Sequence, residues 1–277
     1  MQTNPLQKYY RQPKIYLSLP SKGKFYPAGA INGDPNNLPV FGMSAMDEIM
    51  FKTPDALFNG DATVEVIKSC IPGILHPWVM PQLDIDACLV AIRIATYGQT
   101  IETKFTCKSC GEENKFDLDL SKTLDYFMSL TYETSVIAGP LLVNLRPLTY
   151  KELTQYNIKS FELRRKLYQT ADLKDLSEEE KNTRLNETYK EIGLLTAQGF
   201  RTCISSIEAD DVEVTDEAQI TEWLEHSDKE FFDSIVDHLT AQSEKWKIQD
   251  QQVNCANCEE PNTVSLGLDN SNFFVKR

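Results

Sequence analysis

Apolar and polar positions alternate with a changing period along this chain, and each change of period marks an element. Lys14 to Leu19 reads as a short strand, followed by a turn built from Pro20 and Gly23 that ends in the aromatic pair Phe25 and Tyr26. The stretch from Gly29 to Pro39 is rich in Gly, Pro and Asn and reads as loop. Val40 to Met43 is a second short strand. Ser44 then caps a helix to about Phe51, with Asp47 and Glu48 in its first turn. Thr53 to Gly60 is a short helical turn stopped by Asn59 and Gly60. The next helix starts at Asp61 or Thr63 and sets Val64, Ile67 and Ile71 on one face. Pro72, Pro77 and Pro81 mark a rigid crossing, with Trp78 packed on the core. Ala87 to Tyr97 is a strongly apolar helix ended by Gly98, and Arg93 inside it is expected to pair with a carboxylate such as Asp86 or Asp47.

The second half is more polar. Leu124 to Leu130 reads as a connector, and the segments at 135–137 and 141–145 as a hairpin turned at Gly139 and Pro140. Thr149 caps a long helix to about Gln169. Ser177, with Glu180 at the third helical position, caps another to about Cys203. Charge dominates both, which predicts a helical hairpin, roughly 150–170 and 178–203, that offers much of any partner surface. Val212 to Val214 is a short strand. Thr215 caps a helix through His226, and Ser227 caps another to about Lys245 with Phe231, Phe232, Ile235 and Leu239 on its apolar stripe.

Two segments far apart in the chain share one pattern. Around Cys107 and Cys110, and again around Cys255 and Cys258, an apolar residue lies two before the first Cys (Phe105, Val253) and an Asn four after the second (Asn114, Asn262). A strand-like alternation follows each pair. Two Cys-x-x-Cys turns supply the four sulfurs of a closed tetrahedral site, with no open position for water. That predicts one structural Zn²⁺ held by Cys107, Cys110, Cys255 and Cys258, with iron the alternative ion of the same geometry. A redox dithiol would open a helix, and neither pair does. Lys104 and Lys108 are expected to offset part of the thiolate charge. Cys70, Cys88 and Cys203 read as small buried hydrophobes, the usage of a reducing compartment.

Composition narrows the classes. With 28 basic and 41 acidic residues the formal charge is −13, which argues against nucleic-acid binding. No apolar run approaches the ~20 residues of a membrane-spanning helix, and the first residues lack the pattern of a signal peptide. No P-loop, dinucleotide fingerprint or nucleophile elbow occurs, and His76, His226 and His238 are the only histidines. An enzyme is therefore not expected.

The order of several motifs resembles one family. Leu19-Pro20-Ser21-x-Gly23-x-Phe25-Tyr26 is followed by Met46-Asp47-Glu48 and by the run from Pro54 to Gly60. Then comes Ile92 to Gly98, with Cys107 and Cys110 close behind. In this the chain is similar to the T4-type bacteriophage baseplate proteins, which include baseplate hub subunits and hub assembly proteins of contractile-tailed phages. The match is strongest over about 14–120. The resemblance implies an interaction protein of the baseplate hub, with other baseplate or hub proteins as partners. It also implies a place in the host cytoplasm during assembly or in the virion tail. It implies no catalytic residue, and the metal reading rests on the cysteines themselves. Phe25 and Tyr26, aromatic residues on a fixed turn, are candidate docking residues. The competing readings are a zinc-ribbon adaptor or nucleic-acid-binding module, and an assembly chaperone that leaves the virion.

Together these features predict an α+β fold, mostly helical with short strands clustered at the knuckles, which form a zinc-ribbon-like site interrupted by a long helical insertion. The expected parts are an extended arm over 1–13 and a family domain over 14–98. A knuckle module over 99–130 and 246–277 and an insertion with a small hairpin over 131–245 complete them.

Overall fold

The computed structural model describes residues 4–51, 58–172, 177–210, 212–264 and 274. Most of the expected turn at Thr53–Gly60 lies outside them, as do the strand continuation beyond Val264 and most of the aromatic tail. Among the described residues the chain forms two compact units, 1–131 with 246–277, and 132–245.

In the first unit, β1 (Pro13–Leu17) pairs antiparallel with β2 (Leu38–Phe41) in the register Leu17 to Leu38. Helices α1 (Ala45–Phe51), α2 (Asp61–Cys70) and α3 (Gln82–Tyr97) follow. Along α3, residues Leu83–Ile85 and Ala87–Ile94 are buried, a helix apolar all round and therefore the centre of the unit. It starts a turn earlier than its apolar run predicts, because Pro81 fixes the entry and accepts from the Asp84 amide. Gly42 is required at the crossing of β2 and α3, since a Cβ there would lie 2.9 Å from the Ala95 carbonyl. Two hairpins complete the unit: β3 (Thr100–Thr106) with β4 (Glu113–Asp119), and, at the far end of the chain, β9 (Gln251–Asn254) with β10 (Pro261–Val264).

Three expectations change here. The N-terminal arm is not extended throughout: Asn4 accepts from the Leu6 amide and Pro5–Tyr9 form a 3-10 turn. The connector after the first knuckle is helix α4 (Leu120–Ser129), capped by Asp119 and burying Leu120, Leu124 and Phe127 on one face. One of the carboxylates expected for Arg93 has another partner. Asp47 is taken by Arg11 at 3.1 Å, while the Arg93 guanidinium stacks 4.5 Å over the Tyr97 ring. Arg11 also donates to the carbonyls of Gly42 and Ser69, both at 2.7 Å, and so ties the arm to β2 and α2.

The other candidate partner, Asp86, is half-buried on α3. Burial alone pushes its carboxyl up to about 6 from the ordinary 3.8. A folded-state value above the unfolded one means the folded chain binds more protons between those two points. The contribution of Asp86 to stability is therefore greatest below pH 4 and falls as pH rises through 6, by up to about 3 kcal/mol for two pKa units. Asp86→Asn is expected to raise the unfolding free energy at pH 8 by about 1–2 kcal/mol, since the amide still has a burial cost. It should change little at pH 4. Denaturant melts at the two pH values check this, and equal effects at both would exclude the charge as cause.

In the second unit the small hairpin expected at 135–145 is part of a larger sheet. A four-stranded antiparallel sheet runs in the order β5 (Ser135–Ala138), β6 (Leu141–Leu145), β7 (Ile204–Ala209), β8 (Val212–Val214). Its buried residues Ala138, Val143, Leu145, Ile204 and Ile207 pack with Ile220 of α7 (Glu217–His226) and Ile235 of α8 (Lys229–Lys245). The cap of α7 is Asp216, one residue after the expected Thr215, and accepts from the amides of Ala218 and Gln219.

Between β6 and β7 the chain leaves the sheet as a hairpin of α5 (Tyr150–Asp172) and α6 (Glu178–Thr202). Reciprocal caps start both helices, Thr149 with Glu152 and Ser177 with Glu180. Leu145 faces Ile204 across the sheet, and the Arg146 amide donates to the Cys203 carbonyl at 2.8 Å. The hairpin thus leaves and returns at one point.

Candidate metal centre

Each knuckle is a tight turn closing a hairpin. The Cys107 amide donates to the Glu112 carbonyl, and the Gly111 amide to the Cys107 carbonyl. Cys255, Glu260 and Glu259 repeat these bonds in the second knuckle. Gly111 and Glu259 hold the same left-handed position, at φ 75° and 59°. A side chain there strains the backbone, a cost Gly111 avoids.

The two turns face each other. The four sulfurs lie within 4.8 Å of one another, with Cys107 to Cys258 at 3.7 Å and Cys110 to Cys255 at 3.6 Å. A tetrahedron of Zn–S bonds of about 2.3 Å has edges of about 3.8 Å, so two of the separations already match it. The first cysteine of each pair is buried and the second exposed.

The matching asparagines, which the two segments share in sequence, have a defined task. Asn114 accepts from the Ala256 amide at 2.8 Å and donates to Cys255 Sγ at 3.3 Å. Asn262 accepts from the Lys108 amide at 3.1 Å and donates to Cys107 Sγ at 3.5 Å. Each knuckle thus sends one amide side chain into the other, a two-fold arrangement that only the fold reveals. Lys108 contributes its backbone N–H, and the Lys104 ammonium pairs with Glu113 at 2.9 Å.

Electrostatics favour a cation. The Cys258 and Asn257 amides, with Asn114, hold the Cys255 thiol down to about 6. The Cys110 and Ser109 amides lower Cys107 in the same way. Cys258 receives the Glu260 amide, yet the neighbouring sulfurs of Cys110, Cys107 and Cys255 push it up to about 12. Four thiolates this close cannot all ionise alone, and a dication removes that conflict. The donor set therefore fits one tetrahedral metal ion. Removing an outer donor, in Asn114→Ala or Asn262→Ala, is expected to weaken metal retention about 10–100-fold, read by competition with a chromophoric chelator. An unchanged competition curve would exclude this role.

The other candidate residues lie in a second polar cluster. Phe25 and Tyr26 are half-buried at the end of the Pro20–Gly23 turn, with Phe25 at φ 70°. Tyr26 Oη donates to Asp84 Oδ2 at 2.9 Å. The same buried carboxylate accepts from the Ser21 amide at 2.8 Å and from Ser21 Oγ at 2.6 Å. Burial outweighs these donors and pushes Asp84 up to about 6. Nothing in the local sequence of α3 marks Asp84 as the anchor of a turn 63 residues earlier.

Fold and site define an α+β protein in which two hairpins far apart in sequence can close around one metal ion. Residues 43–275 match the family described as T4 bacteriophage base plate protein, and the chain belongs to that family. That match starts after the Leu19–Tyr26 turn and spans both knuckles and the insertion. No curated protein and no solved structure matches the chain. Family membership supports a structural role in a phage baseplate. Among the described residues no helix is long and apolar enough to cross a membrane.

Proposed function

We propose that this chain is a component of a contractile-tailed phage baseplate hub, acting through contacts with other baseplate proteins rather than as an enzyme. The family match over residues 43–275 carries the reading. In it, one Zn²⁺ bound by Cys107, Cys110, Cys255 and Cys258 staples the two hairpins of the first unit together and does no chemistry on a substrate. The α5–α6 hairpin and the Phe25–Tyr26 turn serve as partner surfaces. The hairpin exposes Tyr168 and Tyr189, aromatic residues of the kind that anchor interfaces. Assembly would take place in the host cytoplasm.

The test is co-purification of the tagged chain with baseplate proteins from infected cells, together with mass spectrometry of purified virions. The polypeptide in mature particles identifies a subunit, and its absence from particles that still require it identifies an assembly chaperone. Failure to co-purify with any baseplate protein would overturn the reading. Because the hairpin leaves and returns at one point, replacing 149–202 by a short Gly/Ser linker is expected to leave both folded units intact and abolish that co-purification. Unimpaired complex formation would exclude the hairpin as the contact.

A further inference from the structure

The second unit carries a groove of about 930 Å³, near the upper end of the usual range for binding clefts. One wall is the end of α6, where Leu194, Ala197, Gln198, Arg201 and Thr202 follow helical spacing along one face. The other wall is α7 and the start of α8, with Ala218, Thr221, Leu224 and Phe232. The lining is largely apolar, and Leu194 is 63 % exposed at its edge.

The charge around this groove is one-sided. The second unit holds 23 acidic and 13 basic residues, so it carries most of the net charge of the chain. Residues 204–237, which include the α7–α8 wall, hold twelve acidic residues and one lysine. That lysine, Lys229, pairs with Asp233, and Arg201 on the opposite wall pairs with Glu217 at 3.3 Å. Both cations at the groove are thus neutralised within the chain, while Glu225 remains at the rim. An apolar floor beside an acidic wall selects an occupant with the opposite pattern. A second copy would bring like charge against like.

We propose that this groove receives an amphipathic helix of a partner, with leucine-type side chains on its apolar face and lysine or arginine on its polar face. The α6 wall, nine residues long, spans about two helical turns, enough for a short helix to lie across. That the partner is another baseplate protein rests on the function proposed above.

The test uses the full chain with two fluorescent 18-residue helical peptides. One has leucine at i, i+3, i+4 and i+7 spacing and lysine on the polar face, and the other has glutamate in place of lysine. The lysine peptide is expected to bind with micromolar affinity that weakens as salt rises, and the glutamate peptide at least about tenfold more weakly. Leu194→Glu, at an exposed position and with an unchanged melting curve, should weaken the lysine peptide at least about tenfold, and Glu225→Lys about three- to tenfold. Equal binding of the lysine peptide to wild type and Leu194→Glu would overturn the proposal, as would equal binding of the two peptides. A wild-type dimer that Leu194→Glu dissociates in sedimentation would replace the partner helix by a second copy and overturn it too. Co-purification separates this inference from the function it rests on. Leu194→Glu protein that captures baseplate proteins as well as wild type does removes the groove and leaves the hub role. Wild type that captures none, with the peptides behaving as expected, removes the hub role and leaves the groove.

Discussion

Protein purified without chelator is expected to carry one zinc ion per chain, and Cys107→Ser or Cys258→Ser is expected to lose it. Structural zinc contributes on the order of 10 kcal/mol or more in small domains at neutral pH. Against it stands closure of the 144 residues between Cys110 and Cys255. That cost grows only logarithmically with length and amounts to a few kcal/mol. The metal term wins. Two-stranded hairpins are marginal alone, so β3–β4 and β9–β10 depend on the ion more than the α3 core does. The melting temperature should fall by more than about 10 °C, since each kcal/mol shifts a unit of this size by about 2–4 °C. Hydrogen exchange should lose protection first over 100–119 and 251–264. Cys70→Ser, whose thiol lies against Arg11 and Asp47 and not among the four sulfurs, should leave the metal content unchanged. Elemental analysis without metal, together with unchanged melting of Cys107→Ser, would exclude the centre.

The second large effect is expected at Asp84. Its carboxylate receives three donors, two from Ser21 and one from Tyr26. Bonds to a charged acceptor contribute about 1.5–3 kcal/mol each, and donors left buried without one cost a similar amount. Burial still raises the group to about 6 with these donors in place, so ionisation at neutral pH carries a net cost of about 3 kcal/mol. Removing the side chain leaves the Ser21 and Tyr26 donors without their acceptor in the core, so Asp84→Ala should lose about 3–5 kcal/mol. Asp84→Asn keeps one acceptor and sheds the charge, so it should be milder. The pair gives a sharper check. Tyr26→Phe should cost about 1–2 kcal/mol in wild type and almost nothing in the Asp84→Ala background, because the two groups act through one bond. Additive losses in denaturant melts would break the link between α3 and the turn.

Local chemistry was legible wherever it is local in sequence. Ser44, Ser177 and Thr149 stand as caps because each hydroxyl reaches an amide within one turn. The hairpin at Gly139 and Pro140 was legible for a similar reason. There a Cβ would lie 2.3 Å from the Phe231 ring, so the turn residue and its packing agree. The four cysteines were legible as a set because metal ligation demands a fixed spacing within each pair and tolerates any distance between pairs. Helix α4 was missed although its signals were present: Asp119 caps it, and Leu120, Leu124 and Phe127 lie on one face.

The remaining features depend on partners that sequence leaves far apart. Strand β7 carries Ile204 and Ile207 in a short run whose period is broken, and only pairing with β6 sets its register. The shared Asn114 and Asn262 were visible as a repeat, but their crossing into the opposite knuckle follows from the way two hairpins meet face to face. Arg11 finds Asp47 from 36 residues away, and Ser21 finds Asp84 from 63. A carboxylate on an apolar helix reads the same along the chain whether it faces solvent, an arginine or a serine amide. Which of these it meets is decided by packing, because the cost of leaving it buried and unbonded exists only once the core has closed around it.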